Sequence, residues 1–252
     1  MQKISRTGPE LPRVAIGFQP EFLDFQRGIR VGNLEDNQRI TRILKLALEG
    51  RYQQSMVTER WGRGVFWQWI GFLSRANRSA MPVSSHVSFG CSKFFITVDT
   101  EEKLFKCGLQ VERGYEKAPK DYPQCELKPD WDWHRLVRAL KPKGHMEREL
   151  RRLVMQEGFR VHAGGWDVRA RSFSKSNFPD MRTLRKILNA APAEEWAGFQ
   201  VYFAMKEVEV RGFLGADLVD AMMAIFDEVA PLMNRCMAIP LATKPERFPS
   251  EL

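Results

Sequence analysis

Two stretches, Phe94 to Val98 and Leu104 to Glu112, place apolar residues against polar or small ones at a two-residue period, separated only by Asp99-Thr100-Glu101-Glu102-Lys103. Successive side chains on a strand point to opposite faces, so this pattern calls for two antiparallel strands joined by a loop of four or five residues. Another pair of short strands is expected at Phe159 to Ala163 and Trp166 to Arg171, around Gly164-Gly165. A further strand follows where Phe199, Val201, Phe203 and Met205 alternate with small or polar residues, a pattern that Val208 and Val210 extend. Strands that arrive as hairpins build an antiparallel sheet.

Elsewhere the period is helical. Ile40, Ile43, Leu44, Ala47 and Leu48 follow the i, i+3, i+4, i+7, i+8 spacing after Asn33, with Gly50 placed as a stop. From Gln54 to Asn77, Trp61, Val65, Trp69 and Leu73 recur every four residues, Phe66 and Phe72 widen the stripe, and Arg60, Arg63, Arg75 and Arg78 flank it. This spacing predicts a long helix whose aromatic stripe either faces the core or stacks on single-stranded nucleic acid.

Asp130 is the expected cap of a short helix, Trp131 to Leu140. Another helix runs from His145 to Glu157 before Gly158, one from Asp180 to Leu188 after Pro179, and a last one from Ala216 to Met237, where Pro231 is expected to kink the helix or begin a new turn. Trp131 and Trp133 do not share a helix face, so one of them is expected at the surface or in an interface.

The resulting fold class is α+β: a helical N-terminal part followed by a mostly antiparallel sheet of hairpins packed with amphipathic helices. The division is residues 1–80 as an irregular lead segment and helical part, 81–238 as the α+β body and 239–252 as a loose tail. A single continuous domain is the alternative.

Several function classes are excluded at this level. No apolar run reaches the roughly 18 residues needed to cross a bilayer, since Gln68 and Gly71 interrupt the most aromatic stretch, and no apolar segment follows the basic N-terminus. A cytoplasmic protein without a membrane partner is expected. Cys91, Cys107, Cys125 and Cys236 are dispersed, with no C-x-x-C pair, which points to reduced thiols rather than zinc or disulfides.

Charge is concentrated rather than spread. Of the net +8, residues 1–80 carry thirteen Lys and Arg against seven Asp and Glu, and residues 131–190 fourteen against six; residues 191–252 reverse this, five against ten. Within the basic middle, Arg169, Arg171 and Lys175 supply cationic donors and Ser172, Ser174 and Ser176 hydroxyls, just before a helix N-terminus. Such donors suit a phosphate. The same stretch also reads as a solvated basic loop with a Ser or Asn helix cap. The acidic last helix offers a packing partner for the basic segment.

Motifs for chemistry are sparse. The P-loop, the dinucleotide-binding glycine triplet, H-E-x-x-H and G-x-S-x-G are all absent. His145-Met146-Glu147 lacks the downstream cysteines of a zinc deaminase. Asp99, Glu101 and Lys103 have the residue types of a metal-dependent nuclease but crowd into one turn, and Ser172-Phe173-Ser174-Lys175 matches S-x-x-K without its companion motifs.

The expected function is a non-catalytic cytosolic accessory protein of bacterial type. It needs no cofactor or metal and binds nucleic acid or another polyphosphate through residues 131–190. The alternatives are a protein-interaction or oligomeric subunit using exposed aromatics, and a metal-dependent nuclease.

Overall fold

The computed structural model describes residues 17–165 and 171–242. In chain order the elements are β1 (Leu23–Asp24), β2 (Gly28–Arg30), α1 (Ile40–Tyr52), β3 (Met56–Arg63), β4 (Phe66–Ser74), α2 (Arg75–Ser79), β5 (Lys93–Asp99), β6 (Leu104–Gly114), α3 (Asp132–Ala139), α4 (His145–Met155), β7 (Arg160–Gly165), β8 (Arg171–Phe173), α5 (Met181–Asn189), β9 (Ala197–Lys206), α6 (Glu207–Arg211) and α7 (Gly215–Cys236). The fold is α+β. The nine strands form one sheet in the order β1-β2-β4-β5-β6-β9-β7-β8, with β3 paired to β4, and every strand pairing among the described residues is antiparallel. Among the described residues no helix is long and apolar enough to cross a membrane.

The hairpin that dominated the sequence forms in the expected place. Lys93 pairs with Gln110 and Asp99 with Leu104, and Asp99 Oδ1 closes the turn by accepting the backbone N–H of Glu101 (3.0 Å) and Glu102 (2.9 Å). Alternation then sorts the residues. Phe94, Ile96 and Val98 of β5, Phe105, Cys107, Leu109 and Val111 of β6, and Phe199 and Val201 of β9 all belong to the main apolar core.

The long helix α7 packs on this face, its Phe226 ring centred 4.8 Å from that of Phe94, while Tyr52 of α1 stacks on Phe94 at 5.7 Å. Each such aromatic pair adds about 0.5–1.5 kcal/mol beyond the area it buries. The four cysteines are buried free thiols; Cys107 lies opposite Ile96, so the hairpin register does not bring it to Cys91.

Residues 54–77 are not a long helix. They form the β3–β4 hairpin and the short α2. A spacing of four is close to one helical turn and also equals two strand repeats, so the Trp61, Trp69 and Leu73 positions fit either structure. The β-branched and aromatic content, the bulge at Gly62 and the Gly64-Val65 turn select the strand. Both glycines have positive φ, 138° and 65°, which a helix does not accommodate.

Smaller departures have equally local causes. Helix α1 runs through Gly50 and ends at Gln53 in the left-handed region. Val208 and Val210 lie in α6, not in a strand, because Glu209 accepts the backbone N–H of Lys206 at 2.6 Å and starts a helical turn. The second strand of the β7 hairpin is Arg171–Phe173, reached through residues outside the described ones.

Asp130 does not cap α3; it accepts from Val83 and Ser84. Trp131 and Trp133 are both buried. Trp131 precedes the helix with extended backbone (ψ 146°), so helical geometry does not separate the two rings, and its indole N–H donates to Ser84 Oγ at 2.7 Å. Helix α7 continues through Pro231.

Candidate functional site

The sequence-predicted donors sit on the β8 edge of the sheet. Arg171, Ser172, Lys175 and Ser176 are exposed, and Arg169 lies outside the described residues. The loop is closed on itself: Ser174 N–H donates to Asn177 Oδ1 at 2.7 Å, the Ser174 and Ser176 hydroxyls lie 3.1 Å apart, and Asn177 Nδ2 donates to the Ser172 carbonyl.

Phe173 is buried, and Phe178 packs against the core with Arg151 above its ring, so both phenyl groups anchor the loop. The start of α5 already has an anion. The Asp180 carboxylate accepts the Thr183 N–H at 2.8 Å, and that bond holds its carboxyl below the usual range.

Beyond this loop, the basic α4 is largely matched by acid. Arg152 reaches Glu149 (3.2 Å), Glu157 (3.7 Å) and, across to α7, Glu228 (2.8 Å), while Arg151 pairs with Glu147 at 2.9 Å. The acidic last helix thus does pack beside the basic segment, through α4.

At the other side of the sheet the arrangement differs. A cleft of about 470 Å³ opens between the N-terminal half of α1 and the β3–β4 hairpin, and Arg39, Arg42, Lys45 and Arg60 all line it with no Asp or Glu among them. Arg39, Arg42 and Lys45 recur every three residues and so follow one side of the helix. Thr58 and Arg60 alternate on β3 and so face the same way.

The floor is made where Val31 and Gly32 both donate their N–H to the Val65 carbonyl, at 2.8 and 3.0 Å. A Cβ at Gly32 would come within 2.9 Å of Val65 Cα, which is why the backbone can approach there. Arg60 lies over Trp67 at 4.1 Å from the ring centroid, and Trp67 Nε1 donates to the Gly64 carbonyl at 3.2 Å.

Arg39 is oriented by the Leu34 carbonyl (2.7 Å) and, among the described residues, has the exposed Asp36 as its acidic partner, at 3.3 Å; Lys45 is 3.9 Å from Glu49. Arg42 and Arg60 form no ion pair among the described residues. Helix α1 begins with no side-chain cap and no acid in its first turn, so its backbone N–H groups and dipole add positive potential beside these side chains.

A second polar cluster crosses the opposite face of the sheet. The register places Lys93, Gln110, Gln200, His162 and Ser172 in one transverse row on β5, β6, β9, β7 and β8. Lys93 is fully buried between Glu59 and Glu112 (2.9 Å), Gln110 donates to Glu112 at 2.9 Å and accepts from Trp69 Nε1 at 3.1 Å and Gln200 at 2.8 Å, and His162 Nδ1 is 3.3 Å from Ser172 Oγ. Burial pulls the Lys93 ammonium pKa down, but the two carboxylates more than offset this and hold it charged. The Lys93, Gln110 and Gln200 part of this row is one hydrogen-bonded network with Glu59, Glu112 and Trp69, and His162 and Ser172 form a separate pair beside it.

Neither cluster was recognised from sequence. The cleft's signal was present as the +6 of residues 1–80 and the three-residue repeat of basic side chains before and within α1, but reading residues 54–77 as a helix hid the face that Thr58 and Arg60 share. The turn residues Asp99, Glu101 and Glu102 stay in their turn, Asp99 and Glu102 pairing with Lys106. Among the described residues no group of three or more His, Cys, Asp or Glu is placed to hold a metal ion.

Within the sheet, β4 beside the cleft and β8 beside the serine loop are five strand spacings, about 24 Å, apart. No protein-family model matches the chain, and no curated protein is similar to it in sequence.

Proposed function

We propose that this protein binds a phosphate-rich polyanion, a nucleic acid or another polyphosphate, in a non-catalytic accessory role in the cytoplasm, with the cleft between α1 and the β3–β4 hairpin as its principal site. The observation that carries this reading is the convergence of four cationic side chains on one cleft without a lining carboxylate. Like charges held together in a concave, partly desolvated space are unfavourable until an anion enters, and Arg donors match phosphate oxygens geometrically. Arg171 and Lys175, on the opposite edge, serve as a weaker secondary contact.

Fluorescence polarisation with labelled DNA and RNA at about 50 mM salt tests the reading, since phosphate contacts make affinity fall steeply as salt rises. Binding that weakens with salt and is lost in Arg42→Ala with Arg60→Ala supports it. Absence of binding, or binding untouched by those substitutions, overturns it.

A second reading, an oligomeric or protein-binding subunit, is favoured by Trp61, which is 68% exposed on β3, a strand that pairs only with β4 among the described residues. Light scattering over a concentration series separates the two: a monomer at all concentrations removes the self-association form of it.

A further inference from the structure

The lining of the cleft bears on which phosphate compound it takes, an inference that rests on the polyanion reading above. Trp67 is the aromatic residue in that lining. One face of its ring is covered by Arg60 at 4.1 Å, the ring packs against the main core, and its N–H is committed to the Gly64 carbonyl. It therefore positions Arg60, whose guanidinium occupies a ring face on which a base would stack in a single-strand binder. The remaining lining is backbone, Val31 and two threonines. The cleft offers charge and hydrogen-bond donors, with no Asn, Gln, Asp or Glu in its lining to pair with a base edge.

The charge density selects further. A phosphodiester carries one charge per phosphate, whereas a terminal phosphate carries about −1.5 to −2. The cations converge on one space of about 470 Å³ rather than lining a track, and that volume falls in the roughly 300–1,000 Å³ range of small-ligand sites. We propose that the cleft takes a short phosphoanhydride chain with a free terminal phosphate and holds it through the phosphates alone. That chemistry is shared by inorganic tripolyphosphate, a nucleoside triphosphate and the 5′-triphosphate end of a nucleic acid.

Isothermal titration of the full chain with inorganic tripolyphosphate, with each of ATP, GTP, CTP and UTP, and with one oligonucleotide bearing either a 5′-hydroxyl or a 5′-triphosphate, distinguishes these sources. The expected result is that tripolyphosphate and the four nucleotides bind within about three-fold of one another, and that the 5′-triphosphate strengthens oligonucleotide binding about ten-fold, the scale of one charge-assisted contact. Both effects are expected to fall about ten-fold in Arg42→Ala, whose side chain is exposed on α1 and outside the core, with Arg60→Ala as the second variant.

Oligonucleotide binding that is indifferent to the terminal group, or nucleotide affinities that differ more than about ten-fold by base, overturns the inference and leaves the polyanion reading intact. No binding of any of these compounds overturns both.

Discussion

The cleft of the first basic region and the β8–α4 part of the second carry cations of the same kind and arrange them differently. At the β8 and α4 side, Arg171 projects singly into solvent and Arg152 is matched by Glu149, Glu157 and Glu228, and the further cations Arg182, Arg185 and Lys186 line an opening along α5 alone. At the α1 and β3 side, Arg42 and Arg60 have no acidic partner among the described residues and face the same space as Arg39 and Lys45. The excess in a segment of sequence therefore measures how many cations are present but not how many remain unneutralised at one point. A site needs the second quantity, which depends on which elements pack together.

That contrast is tested most strongly by paired double variants. Arg42→Ala with Arg60→Ala removes two unpaired donors and is expected to weaken polyanion affinity about 100-fold, since each charge-assisted contact contributes about 1.5–3 kcal/mol. Arg171→Ala with Lys175→Ala is expected to change it by about two-fold, in line with exposed charges. Equal losses in the two variants, measured by polarisation at fixed salt, would erase the distinction between the regions.

A variant can lose affinity because it unfolds, so the pH at which the two ends are compared matters. Asp132 at the start of α3 is fully buried; its Oδ2 accepts from Asn77 at 2.9 Å and Ser92 N–H at 2.6 Å, while Asn77 Oδ1 holds the backbone N–H of Ala238 and Ile239 after α7. Burial pushes the Asp132 carboxyl up to about 6 from an ordinary 3.8. The folded state thus favours the protonated acid: its contribution is fully present below 3.8 and is lost as pH rises through about 6. Relative to Asp132→Asn, the wild type is expected to lose on the order of 2 kcal/mol between those pH values. Urea melts of both proteins across that range check this, and a constant difference would contradict it. Affinity comparisons belong above pH 7, where this group no longer titrates.

Much of the scaffold was legible in the sequence because its signals were unambiguous in period. The β5–β6 hairpin, β9 and helices α4 and α5 each repeat at two residues or near 3.6 and are bounded by polar turns or caps such as Asp180. The cleft was not legible for the converse reason. Its residues come from α1, from β3 and from the Gly64 turn, and the four-residue spacing of Trp61, Trp69 and Leu73 satisfied both periods. The transverse row of Lys93, Gln110, Gln200, His162 and Ser172 was hidden as well: polar residues at alternate strand positions read as a solvated face, yet Lys93, Gln110 and Gln200 are buried. Sequence alternation says which residues share a face but not whether anything covers it.

The neutralised region yields a smaller, more local effect. Arg152→Ala removes contacts to three carboxylates, one of them on α7, and is expected to cost about 1 kcal/mol of stability, as a partly exposed charge network does. Polyanion affinity is expected to stay within about two-fold, because the guanidinium is already matched by acid. A stability loss without an affinity loss is the signature of a cation engaged within the fold. The reverse pattern would assign α4 to the binding surface.

The least perturbing test concerns the helix start beside the predicted serine loop. Asp180 places a carboxylate on the first turn of α5 and accepts the Thr183 N–H and, at 3.3 Å, the Thr183 hydroxyl. A phosphate arriving there must displace that carboxylate or bind beside its negative charge, so Asp180 opposes the anion site that Arg171, Ser172, Ser174, Lys175 and Ser176 suggest in sequence. Asp180→Ala frees the backbone donors and removes the repulsion. If the β8 and α5 region is a structural surface, tripolyphosphate affinity of this variant stays within about two-fold of wild type. If affinity instead rises several-fold, and that gain disappears on adding Arg171→Ala, the loop is a latent second site held shut by its own cap, and the two basic regions differ in occupancy rather than in kind.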